Sequence, residues 1–423
     1  MTENQTDFDI IIAGGGPAGL SAAAKLSKKF SVLLVEKEEL GKSTKSWYSY
    51  GDRIKAHKLD DAVVFRTDHL HFVAPNFKHD MMDDVLIVDK DKVLQIWLER
   101  ARKNGATFKK AEFFNYTRKP QGYVNVETSA GNFTAKLLID ACGATSPIVH
   151  GKKLAKRVDA WIIYGAKIRV KNNPRPLQIE YIPLHDAENT YIGIHPYSED
   201  ILEFYVFVGE NGTFGNDWIK LKSRYEKVLA EMYPDAEVLE PLTGSIPSGI
   251  LKDYAFDNVI FWGASGMLNP DGCGMGFNEI LRQLDTFDAE ITRAFRANRL
   301  DKWALGRVAL GLKDIETLHF QRIIGAFSLY FRSADSAGRW DGGVRWLNAM
   351  GPKSKYWMRN EMSLSWIRDA TLKLHKAVPF KDTINLIPKH ELFFISEQLA
   401  RFTVSAVVVN VFDFLGIIKK KKK

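Results

Sequence analysis

The hydrophobic residues near the start of the chain form two short uninterrupted runs. Residues 10–12 and 32–35 are apolar throughout, and residues 22–26 between them are alanine-rich with a helix-like pattern. Short continuous apolar runs are typical of buried parallel strands, and a helix that connects two of them makes a β-α-β unit. The pattern therefore predicts one such unit within residues 1–40.

Several further elements are predicted before residue 160. Apolar side chains recur every three or four positions over residues 89–104, which predicts a helix. Residues 123–128 and 132–135 alternate about a glycine turn and predict a β-hairpin, and residues 137–139 predict a short buried strand. Residues 42–50 are polar and aromatic, and we expect a loop there.

The middle of the chain alternates between apolar and polar positions. The alternating segments are residues 161–170, 178–182, 190–194 and 202–208. Alternation with a period of two is the pattern of half-buried strands, so we expect a mostly antiparallel sheet that serves as a second domain.

The end of the chain is predominantly helical. A helix is predicted over residues 220–232 and a buried strand over residues 259–262, and from residue 277 onward helical patterns with many aromatic residues dominate. These patterns indicate an α/β protein in three parts. The parts are a nucleotide-binding domain of residues 1–160 with 245–290, an antiparallel substrate domain of residues 161–244, and a helical C-terminal region of residues 291–423.

Composition narrows the class of protein. The 423 residues are 45% hydrophobic and 26% charged, as in folded globular proteins. The net charge is +8, but residues 419–423 contribute five positive charges, so the remaining +3 gives no reason to expect nucleic acid as a partner. Two cysteines exclude a disulfide framework, and no Cys or His spacing fits a metal site. No secretory signal is visible at the start, and we expect a cytoplasmic protein.

The turn between the first predicted strand and helix carries a Gly-x-Gly-x-x-Gly pattern at Gly14, Gly16 and Gly19. Gly14 permits the sharp turn, Gly16 lets the backbone approach a pyrophosphate, and Gly19 lets the helix pack closely on the strand. Glu36, at the end of the second strand, is placed to accept hydrogen bonds from an adenosine ribose. Together these residues predict dinucleotide binding.

Two neighbours of these residues complete the predicted dinucleotide site. Pro17 and Ala18 open the helix whose N-terminal N–H groups would receive the phosphates, and Lys37 follows Glu36 directly.

Three later segments extend the pattern. They are residues 88–94 with Lys90, residues 140–146 (Asp-Ala-Cys-Gly-Ala-Thr-Ser), and residues 263–270 followed by Gly272, Gly274, Gly276 and Asn278. In this order, over about residues 8–290, the chain resembles the FAD-dependent superfamily that holds geranylgeranyl reductases, lycopene cyclases, and flavin-dependent monooxygenases and halogenases. The resemblance implies FAD as the cofactor and a Rossmann-type FAD-binding domain.

The resemblance also implies roles for these residues. Lys90 stands where the family usually has an arginine that contacts the flavin side, and Asp140 and Gly143 belong to a turn near FAD. The last segment, with Gly263, Gly272, Gly274, Gly276 and Asn278, would wrap the ribityl chain and place a helix N-terminus near the flavin pyrimidine edge. Independently of the family, a glycine-rich turn that opens a helix offers N–H donors to an anionic reduced flavin. Ala264 departs from the family, which often has Asp there.

Residues 191–196 (Tyr-Ile-Gly-Ile-His-Pro) resemble the Tyr-x-Trp-x-Phe-Pro substrate-pocket motif of the reductases. Gly193 and His195 replace two large apolar residues, which widens the pocket or changes what it holds. Tyr191 and His195 are the candidate catalytic residues, as a proton relay opposite the flavin. The alternative is that Tyr191 is an ordinary strand aromatic and His195 a hydrogen-bonded residue before a proline.

The family branch stays open at this stage. The first hypothesis is an isoprenoid or lipid reductase in which reduced FAD delivers hydride to an alkene. The alternatives are a monooxygenase, a cyclase that needs reduced flavin without net redox, and a flavin-bearing sensor without turnover. Because no second nucleotide fingerprint is present, electrons would come from transiently docked NAD(P)H or from a ferredoxin-type carrier protein.

The last residues suggest a membrane surface as a partner. Apolar residues 404, 407, 408, 411, 415 and 418 share one helical face, and five lysines follow. An amphipathic helix with a polybasic tail predicts peripheral attachment to an anionic membrane on its cytoplasmic face. A core helix with a solvated tail is the alternative.

Overall fold

The computed structural model describes residues 6–171, 173, 175, 177–184, 190–211, 218–270, 274–312, 319–320, 322–323, 337–377 and 389–414. The strands are β1 (Phe8–Ala13), β2 (Val32–Glu36), β3 (Tyr48–Tyr50), β4 (Val63–Val73), β5 (Lys78–Val88), β6 (Thr107–Lys110), β7 (Phe113–Arg118), β8 (Val124–Thr128), β9 (Gly131–Asp140), β10 (Ala155–Arg169), β11 (Ile179–Pro183), β12 (Thr190–Pro196), β13 (Ile201–Asn211), β14 (Glu237–Leu251), β15 (Ala255–Phe256) and β16 (Val259–Phe261). The α-helices are α1 (Pro17–Leu26), α2 (Gly51–Ala56), α3 (Lys90–Lys103), α4 (Pro147–Gly151), α5 (Trp218–Met232), α6 (Gly276–Arg296), α7 (Lys302–Leu312), α8 (Ala337–Met350), α9 (Lys355–Met358), α10 (Leu364–Ala377) and α11 (Lys389–Phe414).

The first sheet has the order β15-β16-β9-β1-β2-β6, and β7 and β8 extend it from β9. Strands β16, β9, β1, β2 and β6 run parallel to one another. The apolar runs fill this sheet because parallel strands are covered on both faces, and residues 10–12 are fully buried. The predicted β-α-β unit and the Rossmann-type class are confirmed.

Helices α1 and α3 pack together on one face of this sheet. Helix α3 begins where the Asp89 carboxylate accepts the Lys92 N–H at 3.0 Å, and it buries Val93, Leu94 and Trp97 on its sheet side. The periodicity over residues 89–104 therefore predicted this helix correctly. The predicted hairpin of β8 and β9 is also confirmed, and the short strand predicted at residues 137–139 is the end of β9.

The second sheet has the order β14-β10-β13-β12-β11-β4-β5-β3 and is antiparallel except for the β11–β4 pair. Its strands extend beyond the predicted substrate domain of residues 161–244 at both ends. Strands β3, β4 and β5 come from residues 48–88, and β14 runs on to Leu251. The loop predicted at residues 42–50 thus ends in a strand, since Tyr48–Tyr50 pairs antiparallel with β5.

The two faces of the second sheet differ in chemistry. One face is covered by α5, where Leu221, Tyr225 and Val228 pack on aliphatic residues of β10, β12 and β13. The opposite face carries a row of aromatic side chains from β3, β4 and β10–β13. They are Tyr48, Phe72, Trp161, Tyr181, Tyr191, His195, Tyr205 and Phe207. This aromatic face borders the same cavity as the turn that follows β1.

The C-terminal helices form a third layer. Helices α8 and α10 pack on β4 and β5 through Val344, Leu347 and Ile367, with Phe402 of α11 beside them. The predicted helical C-terminal extension is confirmed for the residues described here. In that part of the chain, none of the helices combines the length and apolarity required to cross a lipid bilayer.

Candidate functional site

The glycine turn after β1 is held by close backbone packing. Gly14 has φ +107°, and a Cβ added there would lie 2.4 Å from the carbonyl oxygen of Ala141. A Cβ at Gly19 would lie 1.8 Å from the carbonyl oxygen of Gly14, so only glycine lets α1 approach the turn. At Gly16, in contrast, an added Cβ would meet nothing within 4 Å. The turn is therefore closed toward the protein and open at Gly16.

The open side of the turn is the N-terminus of α1. Its N-cap is Gly16, which has no side chain to cap the helix, and Pro17 follows in the first turn. The N–H groups at the start of a helix have no partners within the helix, and they attract anions. Gly16, Pro17 and Ala18 all line a large cavity, so these donors face space that a phosphate group can enter.

Glu36 lies at the end of β2 beside this turn. Its carboxylate accepts the N–H of Gly15 at 2.5 Å and the N–H of Glu38 at 2.8 Å, and it lines the cavity. These bonds fix the carboxylate while leaving oxygen lone pairs available to a ribose hydroxyl. Lys37 is directed away: its ammonium is exposed and lies 3.5 Å from Glu112.

The segment after β9 ties the first sheet to the second glycine-rich segment. The Asp140 carboxylate is fully buried and accepts the N–H of Cys142 at 3.0 Å and the hydroxyl of Ser146 at 2.5 Å. Its backbone carbonyl accepts the hydroxyl of Ser265 at 2.6 Å. Burial raises the pKa of Asp140. Asp140 therefore braces the site from behind, whereas Gly143 lines the cavity itself.

The second glycine-rich segment closes against the first. Gly263 has φ +72°, and a Cβ there would lie 2.6 Å from the Cβ of Ala18, which makes glycine necessary at the contact with α1. A Cβ at Gly276 would lie 2.2 Å from the side-chain oxygen of Asn269. Gly274 and Gly276 line the cavity at the N-terminus of α6, and Gly272 lies outside the described residues.

Asn278 anchors α6 to the strand β3. Its side-chain oxygen accepts the hydroxyl of Ser49 at 2.6 Å, and its amide donates to the Tyr48 carbonyl at 3.0 Å. Asn278 also lines the cavity. Lys90 does not: its buried ammonium pairs with Glu240 of β14 at 2.7 Å, so the structure places it in the contact between α3 and the second sheet.

The cavity has a volume of about 830 Å³. It begins at the two glycine-rich segments, passes along the aromatic face of the second sheet, and ends among apolar side chains of α8, α10 and α11 such as Leu347, Leu374 and Phe402. Its wall is thus polar at the end formed by the glycine-rich segments and almost wholly apolar at the other end. Such a shape suits a dinucleotide at one end and a hydrophobic molecule at the other.

Tyr191 and His195 both lie on the cavity wall, on the same face of β12. The structure does not bring their side chains together. The Tyr191 ring stacks on Phe207 with a centroid distance of 5.0 Å. His195 is buried and has other partners: its Nδ1 lies 2.8 Å from the Ser46 hydroxyl, and its Nε2 lies 2.8 Å from the Tyr205 hydroxyl and 3.1 Å from the Tyr181 hydroxyl.

Gly193 does not widen the pocket. A Cβ at Gly193 would lie 2.3 Å from ring atoms of Tyr205, because that ring lies flat over the glycine. Gly165 lies on β10, on the other side of β13, and pairs with Tyr205 in register. A Cβ at Gly165 would clash with the Cβ of Tyr205. The two glycines hold the Tyr205 ring where its hydroxyl reaches His195.

Glu203 is the main functional candidate that the sequence analysis missed. It lies on β13 opposite His195, is fully buried, and has one carboxylate oxygen 3.6 Å from the His195 Nδ1. That oxygen accepts the Ser46 hydroxyl, and the other accepts the Tyr197 hydroxyl at 3.0 Å. An acidic residue on the inward face of an otherwise apolar strand was the available sign in the sequence, because buried carboxylates need dedicated partners.

Lys45 is a cationic residue on the wall of the cavity. Its stem lies along Gly244 of β14, and the loop before it is fixed because Thr44 and Thr243 exchange backbone and side-chain hydrogen bonds at 2.9 and 3.0 Å. Lys45 lines the cavity, and desolvation lowers the pKa of its ammonium.

The residues at the polar end fit an FAD molecule. An uncapped helix N-terminus at Gly16, a fixed carboxylate at Glu36 and a second helix N-terminus at Gly276 face one continuous cavity. Close packing makes glycine necessary at Gly14 and Gly19, whereas a Cβ at Gly16, on the cavity side of the turn, would meet nothing within 4 Å. This arrangement provides donors for phosphates and for an anionic flavin edge.

Comparisons with known proteins agree with this arrangement. The family model for lycopene cyclase proteins matches residues 9–187. No curated protein matches the chain significantly. Among solved structures, a geranylgeranyl bacteriochlorophyll reductase-like protein from Thermoplasma acidophilum is similar with a TM-score of 0.67 and 15% identity, over 90% of this chain and 99% of that one.

Two halogenases are similar in the same way. The flavin-dependent brominase Bmp2 matches with a TM-score of 0.64 and 14% identity, over 89% of this chain and 99% of that one. The halogenase PltM, solved in complex with phloroglucinol and FAD, matches with a TM-score of 0.61 and 15% identity, over 93% of this chain and 96% of that one. At these identities the likeness concerns the fold. The family match over residues 9–187 and the shared fold both support an FAD-dependent oxidoreductase.

Proposed function

We propose that the protein is an FAD-dependent oxidoreductase that reduces an alkene in a hydrophobic substrate of the isoprenoid or lipid class. The observation that carries the proposal is the continuity of the cavity, which joins the two glycine-rich segments to an apolar space among α8, α10 and α11. Apolar walls with a few convergent polar groups are the usual form of a site for a hydrophobic small molecule.

Specific residues would hold the cofactor. The N-terminus of α1 at Gly16 would receive the pyrophosphate, Glu36 the adenosine ribose, and the N-terminus of α6 at Gly276 the pyrimidine edge of the flavin. When bound and reduced, FAD supplies a hydride. The protein must then orient the substrate, exclude water and deliver a proton.

The aromatic face of the second sheet would perform these tasks. Tyr191, stacked on Phe207 and edge-on to Trp161 at 6.1 Å, forms a rigid apolar wall against which a polyprenyl or acyl chain can lie. His195 and the hydroxyls of Tyr181 and Tyr205 together form the polar group on that wall, and this group is the proposed source of the proton. Tyr191 therefore has a positioning role in this proposal.

An anaerobic reoxidation experiment tests the function. The purified protein is loaded with FAD, reduced, and mixed without oxygen with a geranylgeranyl lipid or with its fully saturated counterpart, while absorbance at 450 nm is followed. A separate sample of the reduced protein is mixed with the lipid and oxygen. We expect reoxidation by the unsaturated lipid alone, with a reduced double bond in the product. Reoxidation by oxygen only, with an oxygenated product, would contradict alkene reduction and support a monooxygenase.

A cyclase is the second candidate, and the match of the lycopene cyclase family model to residues 9–187 favours it. Such an enzyme would need reduced FAD but would consume no reductant. In the same experiment the flavin would stay reduced while the polyene is converted to an isomer of equal mass. Mass spectrometry of the product therefore separates the two candidates.

The reductant is proposed to come from outside the chain, as NAD(P)H that docks transiently or as a ferredoxin-type carrier. The sequence has a single nucleotide fingerprint, at residues 14–36, which supports an external donor. Stopped-flow reduction of the FAD-loaded protein with NADH, NADPH or reduced ferredoxin tests this, and the donor with saturable, fast reduction is the physiological class.

Peripheral binding to an anionic membrane is also proposed. On α11, Phe393 and Val404 are 75% and 62% exposed and lie three turns apart on one face, while Leu399 is half-exposed and lines the cavity. This helix thus links the surface to the apolar end of the cavity; the tail at residues 415–423 lies outside the described residues. Co-sedimentation with anionic liposomes should fall when residues 402–423 are deleted, and unchanged co-sedimentation would contradict the proposal.

A further inference from the structure

The imidazole of His195 and the hydroxyl and carboxylate groups around it form one continuous chain of hydrogen bonds. It begins at the buried Glu203 carboxylate, passes through the Ser46 hydroxyl to Nδ1 of His195, and continues from Nε2 to the Tyr205 hydroxyl. Tyr181 closes the chain: its hydroxyl lies 3.1 Å from the same Nε2 and is also hydrogen-bonded to Tyr205. Tyr181 is half-buried and lines the cavity, so the chain joins a buried acid to the substrate space.

Counting hydrogens orients this chain. A carboxylate carries no hydrogen, so Ser46 must donate its single hydroxyl hydrogen to Glu203. The Ser46 oxygen can then only accept from His195, which places the proton of the neutral ring on Nδ1. Nε2 is left as an acceptor for the Tyr205 hydroxyl. Each donor in the neutral chain therefore points away from the cavity and toward Glu203.

We propose that Glu203, Ser46, His195, Tyr205 and Tyr181 form a proton-transfer chain that stores one proton on the Glu203–His195 pair and exchanges it with a ligand in the cavity. In the loaded state His195 is an imidazolium beside the Glu203 carboxylate. On discharge the Nε2 proton passes to the Tyr205 oxygen, and a phenolic hydrogen passes by way of Tyr181 to the substrate. His195 is then neutral with its proton on Nδ1, and a proton from water restores the imidazolium after product release.

The surroundings suit such a store. The Tyr197 hydroxyl donates to the second Glu203 oxygen at 3.0 Å. Burial raises the pKa of Tyr197 and of Tyr205, so both remain neutral phenols, and Tyr205 can pass a proton without holding a charge. The Tyr48 ring lies edge-on to His195 at 5.4 Å, and the Lys167 ammonium lies over the Tyr197 ring at 4.0 Å. In this chain Tyr181 is the candidate catalytic residue, and Glu203 and Ser46 are positioning residues.

The proposal rests on the proposed function only for the identity of the ligand, and its first test needs no turnover. The full-length protein is labelled with 15N-histidine, and His195 is assigned as the signal missing in His195→Gln. We expect the neutral ring to carry its proton on Nδ1 in the wild type and in Ser46→Thr, which keeps the hydroxyl. In Ser46→Ala this preference should disappear.

A matched control separates the chain from a general effect of charge. Glu180 is a buried glutamate on the neighbouring strand β11, but it pairs with Arg175 at 2.8 Å and Gln178 at 2.6 Å and lies outside the chain. Glu180→Gln should leave the His195 spectrum unchanged. A wild-type neutral ring protonated on Nε2, an imidazolium throughout the accessible pH range, or an unaltered spectrum in Ser46→Ala would each overturn the proposal.

The second test measures proton delivery in the anaerobic reoxidation reaction. Ser46→Ala should slow the substrate step by about 10²- to 10⁴-fold with little change in KM, and Ser46→Thr should restore most of the rate. An equal rate in Ser46→Ala would overturn the proton-transfer chain while leaving alkene reduction intact. If no lipid reoxidises the wild-type flavin, the proposed function fails, and the histidine spectra still decide whether the chain exists.

Discussion

Substitution of Gly193 by alanine probes the packing that holds Tyr205. The added Cβ would lie 2.3 Å from two ring carbons of Tyr205, whereas carbon atoms in contact normally lie 3.5–4.0 Å apart. The ring must therefore move by more than 1 Å. A shift of that size would lengthen the 2.8 Å contact between the Tyr205 hydroxyl and His195 Nε2 beyond hydrogen-bond range.

Two costs follow from this shift. Overpacking a dense interior costs about 1–3 kcal/mol, and leaving a buried acceptor unsatisfied costs about 1–3 kcal/mol. The Tyr181 hydroxyl, at 3.1 Å from Nε2, remains as a partner and reduces the second cost. We expect a loss of about 2–4 kcal/mol in the free energy of unfolding. With an unfolding entropy of roughly 2 cal/mol/K per residue, that corresponds to a decrease of about 2–5 °C in Tm.

Thermal melts of a double-mutant cycle measure the effect. In a Tyr205→Ala background the ring is gone, so Gly193→Ala should then cost less than about 0.5 kcal/mol. Gly244→Ala is the control: it lies on the same face of the sheet, and its Cβ would make an ordinary 3.4 Å contact with the Lys45 stem, so its Tm should stay near the wild-type value. If Gly193→Ala is equally costly with and without the Tyr205 ring, the argument from ring packing is refuted.

Three further predictions concern the rest of the molecule. Gly16→Ala should leave the Tm of the apoprotein unchanged but weaken FAD binding in a fluorescence titration, whereas Gly19→Ala, with its Cβ 1.8 Å from a carbonyl oxygen, should prevent folding. Arg359→Met should cost about 3–5 kcal/mol in a urea melt, because it strands the buried carboxylate of Asp83 that Arg359 holds at 3.0 Å, and adding Asp83→Asn should recover part of the loss. Burial raises the pKa of the Cys142 thiol well above its usual value, so in a Cys273→Ala background its alkylation at pH 8 should be slower than that of free cysteine and should accelerate as pH rises; a fast reaction at pH 8 would contradict this.

The FAD-binding half of the molecule could be predicted because its sequence is locally constrained. Gly14 requires a positive φ and Gly19 a backbone contact, and both constraints depend on residues close to them in the first unit or directly beside it in the sheet. The apolar runs of β1 and β2 are equally direct, since both faces of the sheet are covered. Pattern and fold therefore agree there.

The environment of His195 could not be predicted in the same way. Its partners Ser46, Tyr181 and Tyr205 come from three separate segments, and only the strand pairing brings them together. The loss of a large residue at position 193 suggested extra space, but the ring that fills it comes from the next strand. Lys90 shows the same limit, because its partner Glu240 lies 150 residues further along the chain.

The strand orders also have a consequence for how the chain is made. In the first sheet β9 lies between β1 and β16, and in the second sheet β10 lies between β13 and β14. Strand β16 ends at Phe261 and strand β14 ends at Leu251. Until these two strands have been synthesised, one edge of β9 and one edge of β10 have no partner. Unpaired strand edges in nascent chains favour aggregation. We therefore expect ribosome-bound chains shorter than about 260 residues to depend on chaperones, and both sheets to close together once the ribosome has passed that length.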